Sequence, residues 1–190
     1  MTFDFAAARL NMVESQVRTQ DVTDTAVQDA MMAVAREAIV PPGRAAIAYA
    51  DSEIPYGEGR CLMRPRDIGK VLQALHPRAG ERALAIAAPY AAAVLEAMGL
   101  VVERFDAPDL RDCPPGPYDV IVCEGSVDRT PDNWTRALGP GGRLCAVERR
   151  GPVGKARLYV RTDEGIASRE AFDCMAPLLP GFMPQAQFVF

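Results

Sequence analysis

The chain of 190 residues has one histidine and one tryptophan, and none of its five cysteines falls in a Cys-x-x-Cys pair. A lone histidine excludes a Ser-His-Asp triad built on a second imidazole and any multi-histidine metal site. Without paired cysteines a zinc site lacks its usual ligands too, so no metal is expected. His76, just before Pro77, reads as a solvated residue at a helix end, where the helix dipole favours it. Cys61, Cys113, Cys123, Cys145 and Cys174 are odd in number and widely spaced, which reads as reduced, buried thiols of a cytoplasmic protein. No uncharged apolar run of about 18 residues exists to span a membrane. The stretch MTFDFAAARLNMVESQ has an acid at Asp4 and no basic region, so it does not read as a signal peptide. A basic excess is also missing: the net charge is −4 and the basic residues are interspersed with acids. Neither nucleic acid nor an anionic membrane is therefore expected as a partner.

What is present is an ordinary globular composition, 49% hydrophobic and 24% charged, in a chain long enough to bury a sizeable core. The pattern predicts one domain over residues 1–190. A helical arm occupies 1–40, a loop region 41–64, an α/β core 65–150 and a β-rich part 151–190. In the arm, Leu10, Val13 and Val17 recur at helical spacing, as do Val22, Ala26, Ala30, Met31 and Val34, with Thr25 and Gln28 placed for a capping box. PRDIGKVLQALHP sets Ile68, Val71, Leu72 and Leu75 on one helix face behind Pro65. RALAIA, GLVVERFD, YDVIVCEG and GGRLCAVE read as buried strands, with a helix over Ala91 to Met98 and another, PDNWTRAL, capped by Thr130 with Pro131 at its first position. ARLYVRT and the tail AQFVF read as terminal β pieces, and Trp134 reads as core. Strands alternating with helices imply a doubly wound, mostly parallel sheet.

The order of MVESQVRTQDVTDTAVQDAMMAVAREAIVPP, AYADSEIPYGEG, GERALAI, YAAAVL, YDVIV and LGPGGRLCAV resembles the protein-L-isoaspartate O-methyltransferase family from about Ala8 to Val147. The resemblance implies a Rossmann-like fold of the S-adenosylmethionine-dependent methyltransferase type. It also implies S-adenosylmethionine as cofactor and an isoaspartyl-containing protein or peptide as substrate, its carboxylate accepting the methyl group. In such a site, backbone amides after the first strand approach the cofactor and an acid after the second strand accepts its ribose hydroxyls. The resemblance places Tyr90 after the cofactor turn and Glu103 at the ribose-binding acid. The residues around Glu103 equally allow a carboxylate paired with a neighbouring base, and Tyr90 reads more readily as packing.

Three departures bear on the same reaction. Where the family's first strand runs into an acid and a glycine-rich turn, this chain has Leu84-Ala85-Ile86-Ala87-Ala88-Pro89-Tyr90. That turn is shorter, it lacks glycine, Ala87 is unsuited to positive φ, and Pro89 has no amide to donate. The family's substrate-facing serine position holds Met63, which cannot donate a hydrogen bond, and the following Arg64 reads as solvated. From Phe105 to Tyr118 about a dozen residues remain, enough to span roughly 40 Å but not to hold a strand with its helices. The sheet is therefore expected to be shortened by one strand-helix unit. Its exposed edge would be covered by a second copy or another protein partner. Glu124, after a core strand, reads as an exposed polar cap. Together these losses imply weak or absent methyl transfer, with an active methyltransferase of altered cofactor binding as the alternative.

Overall fold

The computed structural model describes residues 3–182. The arm begins with α1 (Phe5–Met12), which runs on through a π-helical turn at Val13–Val17 and a short 3-10 turn, and continues with α2 (Thr25–Ala33). A 3-10 segment (Pro42–Ile47) and the small hairpin β1 (Ile54–Gly57) and β2 (Arg60–Leu62) fill the loop region. The core follows as α3 (Pro65–Leu75), β3 (Arg82–Ile86), α4 (Pro89–Ala97), β4 (Val101–Phe105), β5 (Tyr118–Val127), α5 (Asp132–Arg136) and β6 (Leu138–Glu148). The hairpin β7 (Gly154–Thr162) and β8 (Gly165–Cys174) completes the described part.

The main sheet has the order β4-β3-β5-β6-β7-β8. Strands β4, β3, β5 and β6 pair in parallel, and β7 and β8 add antiparallel. The two-residue side-chain period divides its residues between two layers. Ala83 and Ala85 of β3, Val120 and Val122 of β5, and Cys145 and Val147 of β6 join the core under α1 to α4. Leu84, Ile86, Ile121, Cys123, Leu144 and Ala146 join a second cluster under Trp134, Leu110, Leu179 and Phe182. Ile68, Val71, Leu72 and Leu75 of α3 are all fully buried, each contributing about 1.5–3 kcal/mol by leaving water. Trp134 is fully buried, and its indole N–H donates to the Leu110 carbonyl at 2.8 Å, so the loop 106–117 is pinned beneath α5.

Several local expectations need correction. The N-cap of α2 is Asp24, whose carboxylate accepts from the Ala26 and Val27 amides, while Gln28 turns inward to the Val22 carbonyl. Helix α5 is capped by Pro131, one residue later than expected, and Thr130 makes no capping bond to it, its amide donating instead to Glu148 at 3.0 Å. Strand β8 has no counterpart in the sequence reading. Most of its residues are exposed, so no apolar alternation marks it. The tail AQFVF lies outside the described residues. All five cysteines are buried and unpaired, and His76 closes α3 as an exposed residue at φ 45°.

β4 is an edge strand, and the chain returns from it through residues 106–117 to β5 on the other side of β3. The strand order therefore reverses at β3 and β5. In such sheets the crevice outside the carboxyl ends of the two strands is where ligands bind.

Candidate functional site

At that crevice β3 leads directly into α4. Ile86 pairs with Cys123, so the next residues, Ala87 and Glu124, emerge side by side. Ala87 adopts φ 46°, contrary to the expectation that alanine avoids this region. Its amide donates to the Phe105 carbonyl at 2.9 Å and its carbonyl accepts from the Tyr56 hydroxyl at 3.2 Å, so two neighbours hold the left-handed turn in place. The strain of such a turn is about 1–2 kcal/mol. Ala88 then caps α4 with no side-chain acceptor, and Pro89 takes the first helical position.

The acceptor that α4 lacks locally comes from β5. The register of β5 against β6 shifts between Val122 and Ser126, a bulge that re-aims the side chain between them. Gly125 makes the bend, with φ 132° and space for no more than a hydrogen, since a Cβ there would lie 2.7 Å from Leu179. Glu124 is thereby turned into the protein and is fully buried, not the exposed cap that its position suggests. One carboxylate oxygen accepts from the Ala91 amide at 2.6 Å, the other from the Met63 amide at 3.2 Å. The amino end of a helix is the place where a bound anion ordinarily sits, and here the anion is the chain's own carboxylate.

Near it lies Arg36 from the helical arm, also fully buried, whose charge acts on Glu124 through space without a direct ion-pair contact. The Arg36 guanidinium lies 4.4 Å over the ring of Tyr90, donates through Nε to the Ala48 carbonyl at 2.8 Å and through Nη2 to the Met63 carbonyl at 2.6 Å. Burial pushes the Glu124 carboxyl above its ordinary range, and the Arg36 charge and the amide hydrogen bonds oppose that shift. Met63 is thus gripped on both sides of its backbone, and its side chain is buried. Tyr90 is fully buried beneath Arg36, and burial pushes its hydroxyl well above the usual phenol range.

The other sequence-singled residues lie apart from this cluster. Glu103 sits mid-strand in β4, opposite Leu84, where it pairs with Arg82 at 3.0 Å and accepts from the Tyr118 hydroxyl at 2.7 Å. The carboxylate that follows β4 at the crevice is Asp106, held by the buried Arg60, whose Nη2 also donates to the Ala107 carbonyl at 2.7 Å. Arg64 is not free in solvent but pairs with Glu53 at 2.7 Å. The cavity left at the crevice measures about 190 Å³ and is lined by Ala85, Ala88, Pro89, Arg104, Phe105 and Asp106. Arg36 and Asp106 escaped the sequence reading. Arg36 carried only the basic character of its segment, and Asp106 only its place after a strand. Among the described residues no group of three or more His, Cys, Asp or Glu side chains is placed to hold a metal ion, and no helix is long and apolar enough to cross a membrane.

No protein-family model matches the chain. Individual relatives do. It is 35% identical to a protein-L-isoaspartate O-methyltransferase of Methylorubrum populi, covering 92% of this chain and 96% of that protein. It is 34% identical to the same-named protein of Methylorubrum extorquens, covering 94% and 91% of the two chains. Among solved structures, a protein-L-isoaspartate O-methyltransferase superposes with a TM-score of 0.74 at 18% identity, over 91% of this chain and 66% of the other. A Plasmodium falciparum protein described as the same kind of enzyme, solved with S-adenosyl-L-homocysteine, gives 0.72 at 15% identity over 94% and 99%. These structures share the Rossmann-like, mostly parallel architecture described above. By its sequence similarity over nearly its whole length, the chain belongs to the protein-L-isoaspartate O-methyltransferase family.

Proposed function

We propose that this family member holds its cofactor crevice closed with its own side chains, binds S-adenosylmethionine weakly or not at all, and acts by binding another protein. The carrying observation is the fully buried Glu124 carboxylate on the Ala91 and Met63 amides, with the Arg36 charge opposing the cost of its burial. A cofactor lodged over the start of α4 would approach the first amides of that helix, and the Ala91 amide is already satisfied by Glu124. The remaining cavity, about 190 Å³, is below the roughly 300–1,000 Å³ of small-molecule sites. The two positions that the resemblance assigns to the cofactor point the same way. Tyr90 is covered by Arg36, and Glu103 is engaged by Arg82 and Tyr118. The residues present therefore do not fit the cofactor.

Titration calorimetry with S-adenosylmethionine, run beside radiolabelled methyl transfer to an isoaspartyl peptide, tests this reading. The expected result is no binding heat and incorporation at background. A micromolar dissociation constant, about −8.2 kcal/mol, with turnover would refute it. That outcome would favour the second reading, a working carboxyl methyltransferase with a rearranged cofactor site, which draws support from the 35% identity to a protein of that name.

Two further elements belong to the proposal. Residues 1–190 form one folding unit, supported by the two core clusters lying on opposite faces of one sheet; a single cooperative melting transition is expected. The outer edge of β4, where Val101 is 67% exposed, is covered by a second copy of the chain. Sedimentation showing only monomer at tens of micromolar would count against that pairing.

A further inference from the structure

The structure has a second groove, distant in kind from the closed crevice. It lies at the carboxyl end of β6 and the start of β7, with a volume of about 440 Å³, inside the roughly 300–1,000 Å³ range of small-molecule sites. Arg129, Arg150, Lys155 and Arg157 line it, with Glu148 and Tyr159 at its floor. Because side chains alternate along a strand, Lys155, Arg157 and Tyr159 share one face of β7, while Gly154, Ala156 and Leu158 turn into the core. Arg150 comes from the turn after β6 and Arg129 from the turn after β5.

The single acid in the lining is spent internally. Glu148 accepts from the Tyr159 hydroxyl at 2.5 Å and from the Thr130 amide at 3.0 Å, and one of its oxygens lies 3.6 Å from Arg157 Nε. Burial would raise its carboxyl, yet these donors hold it below the ordinary range, so it stays an anion. The groove keeps a net charge of +3 in a chain of net charge −4. Acids do approach the rim. Glu170 and Asp173 from β8 pair with Lys155 at 3.7 and 2.8 Å, Glu170 also meets Arg157 at 3.2 Å, and Asp132 lies 3.9 Å from Arg129. These acids are exposed, and exposed pairs of this kind hold weakly, so a ligand can displace them. Arg150 has no carboxylate partner among the described residues, its Nε reaching only the Asp128 carbonyl at 3.1 Å. Arg157 Nε is shielded from solvent and makes no hydrogen bond, with a Glu148 oxygen 3.6 Å away.

We infer that this groove is a binding site for a phosphate-bearing small anion. Three guanidinium groups converge there, and their planar forks match the paired oxygens of phosphate better than an ammonium does. The shared chemistry is a phosphate chain, whether free or carried by a nucleotide, and the inference is independent of whether the crevice takes S-adenosylmethionine.

The test is titration calorimetry of the full chain with pyrophosphate and, in parallel, with ADP. One-site binding of pyrophosphate is expected, weakened about tenfold or more by Arg150→Gln and by Lys155→Gln, the loss of one charge-assisted hydrogen bond each. Both side chains are solvent-accessible, so their variants keep the wild-type melting temperature. Lys70→Gln, in a separate groove near α3, leaves binding unchanged. ADP binding more tightly than pyrophosphate assigns the site to a nucleotide, and equal or weaker binding assigns it to free oligophosphate. No heat with either probe, or binding untouched by both groove variants, overturns the inference.

Discussion

Replacing Arg36 by methionine probes the buried cluster most directly. The substitution deletes the donors to the Ala48 and Met63 carbonyls and removes the charge that faces Glu124, in a place with no access to water. Removing one of two opposite buried charges costs up to about 3–5 kcal/mol, because the other charge stays buried with less compensation. Against a total stability of about 5–15 kcal/mol, this is a large fraction. For a chain of this size it corresponds to a fall in Tm of about 6–20 °C. Glu124→Gln alone should also destabilise, leaving the buried Arg36 charge without the opposing one. The double variant Arg36→Met/Glu124→Gln carries neither charge, so it should be more stable than the sum of the single losses predicts, with a coupling of about 2 kcal/mol or more. Urea unfolding of the four proteins gives the cycle.

The pH dependence has a definite sign. The folded carboxyl of Glu124 lies above its unfolded value, so its contribution to stability is fully present below the unfolded value and is lost as pH rises through the folded one. Without Arg36 that shift grows, so the deficit of Arg36→Met should be largest near neutrality and shrink as the solution is acidified. Single losses that add within about 0.5 kcal/mol, with a deficit independent of pH, would refute the claim that these two side chains neutralise one another.

Ala87→Gly relieves a left-handed alanine at φ 46° but loosens the unfolded chain, so the melting point should move by no more than about 1 kcal/mol in equivalent stability. Calorimetry should still detect no S-adenosylmethionine binding, because Glu124 remains on the α4 amides. Gly125→Ala places a Cβ 2.7 Å from Leu179 at φ 132°, and denaturant melts should show a loss of about 2 kcal/mol or more. Asp24→Ala removes the acceptor for the Ala26 and Val27 amides and should cost about 1 kcal/mol by the same assay. Burial would raise the Glu81 carboxyl, but Arg143 at 2.9 Å outweighs it and holds it low. Stability from this pair is present above the unfolded carboxylate value and lost as pH falls through the folded one. Glu81→Gln should therefore flatten the acid limb of a stability profile.

Much of the fold could be read along the chain. Helix α3 announced itself through Ile68, Val71, Leu72 and Leu75, and β3, β5 and β6 through apolar runs, because burial on one face or both leaves a period that survives in one dimension. The same runs, in their order, carried the family. Strand β8 left no such trace, since a largely exposed strand is specified by pairing with β7 and not by hydrophobic alternation. Asp24 displaced Thr25 as the cap of α2, a choice between adjacent acceptors that only backbone geometry makes.

The sequence by itself determined most of the buried secondary elements, the parallel arrangement and the loss of glycine from the turn after β3. What replaced that turn was decided by tertiary structure. Glu124 looks like a strand-end acid until the bulge at Gly125 turns it inward, and Arg36, from a distant arm, looks like a surface arginine until it stacks on Tyr90. The partnership has no local signature, because the approach of two buried charges so far apart in the chain depends on how separate elements pack, and packing is set by shape in three dimensions.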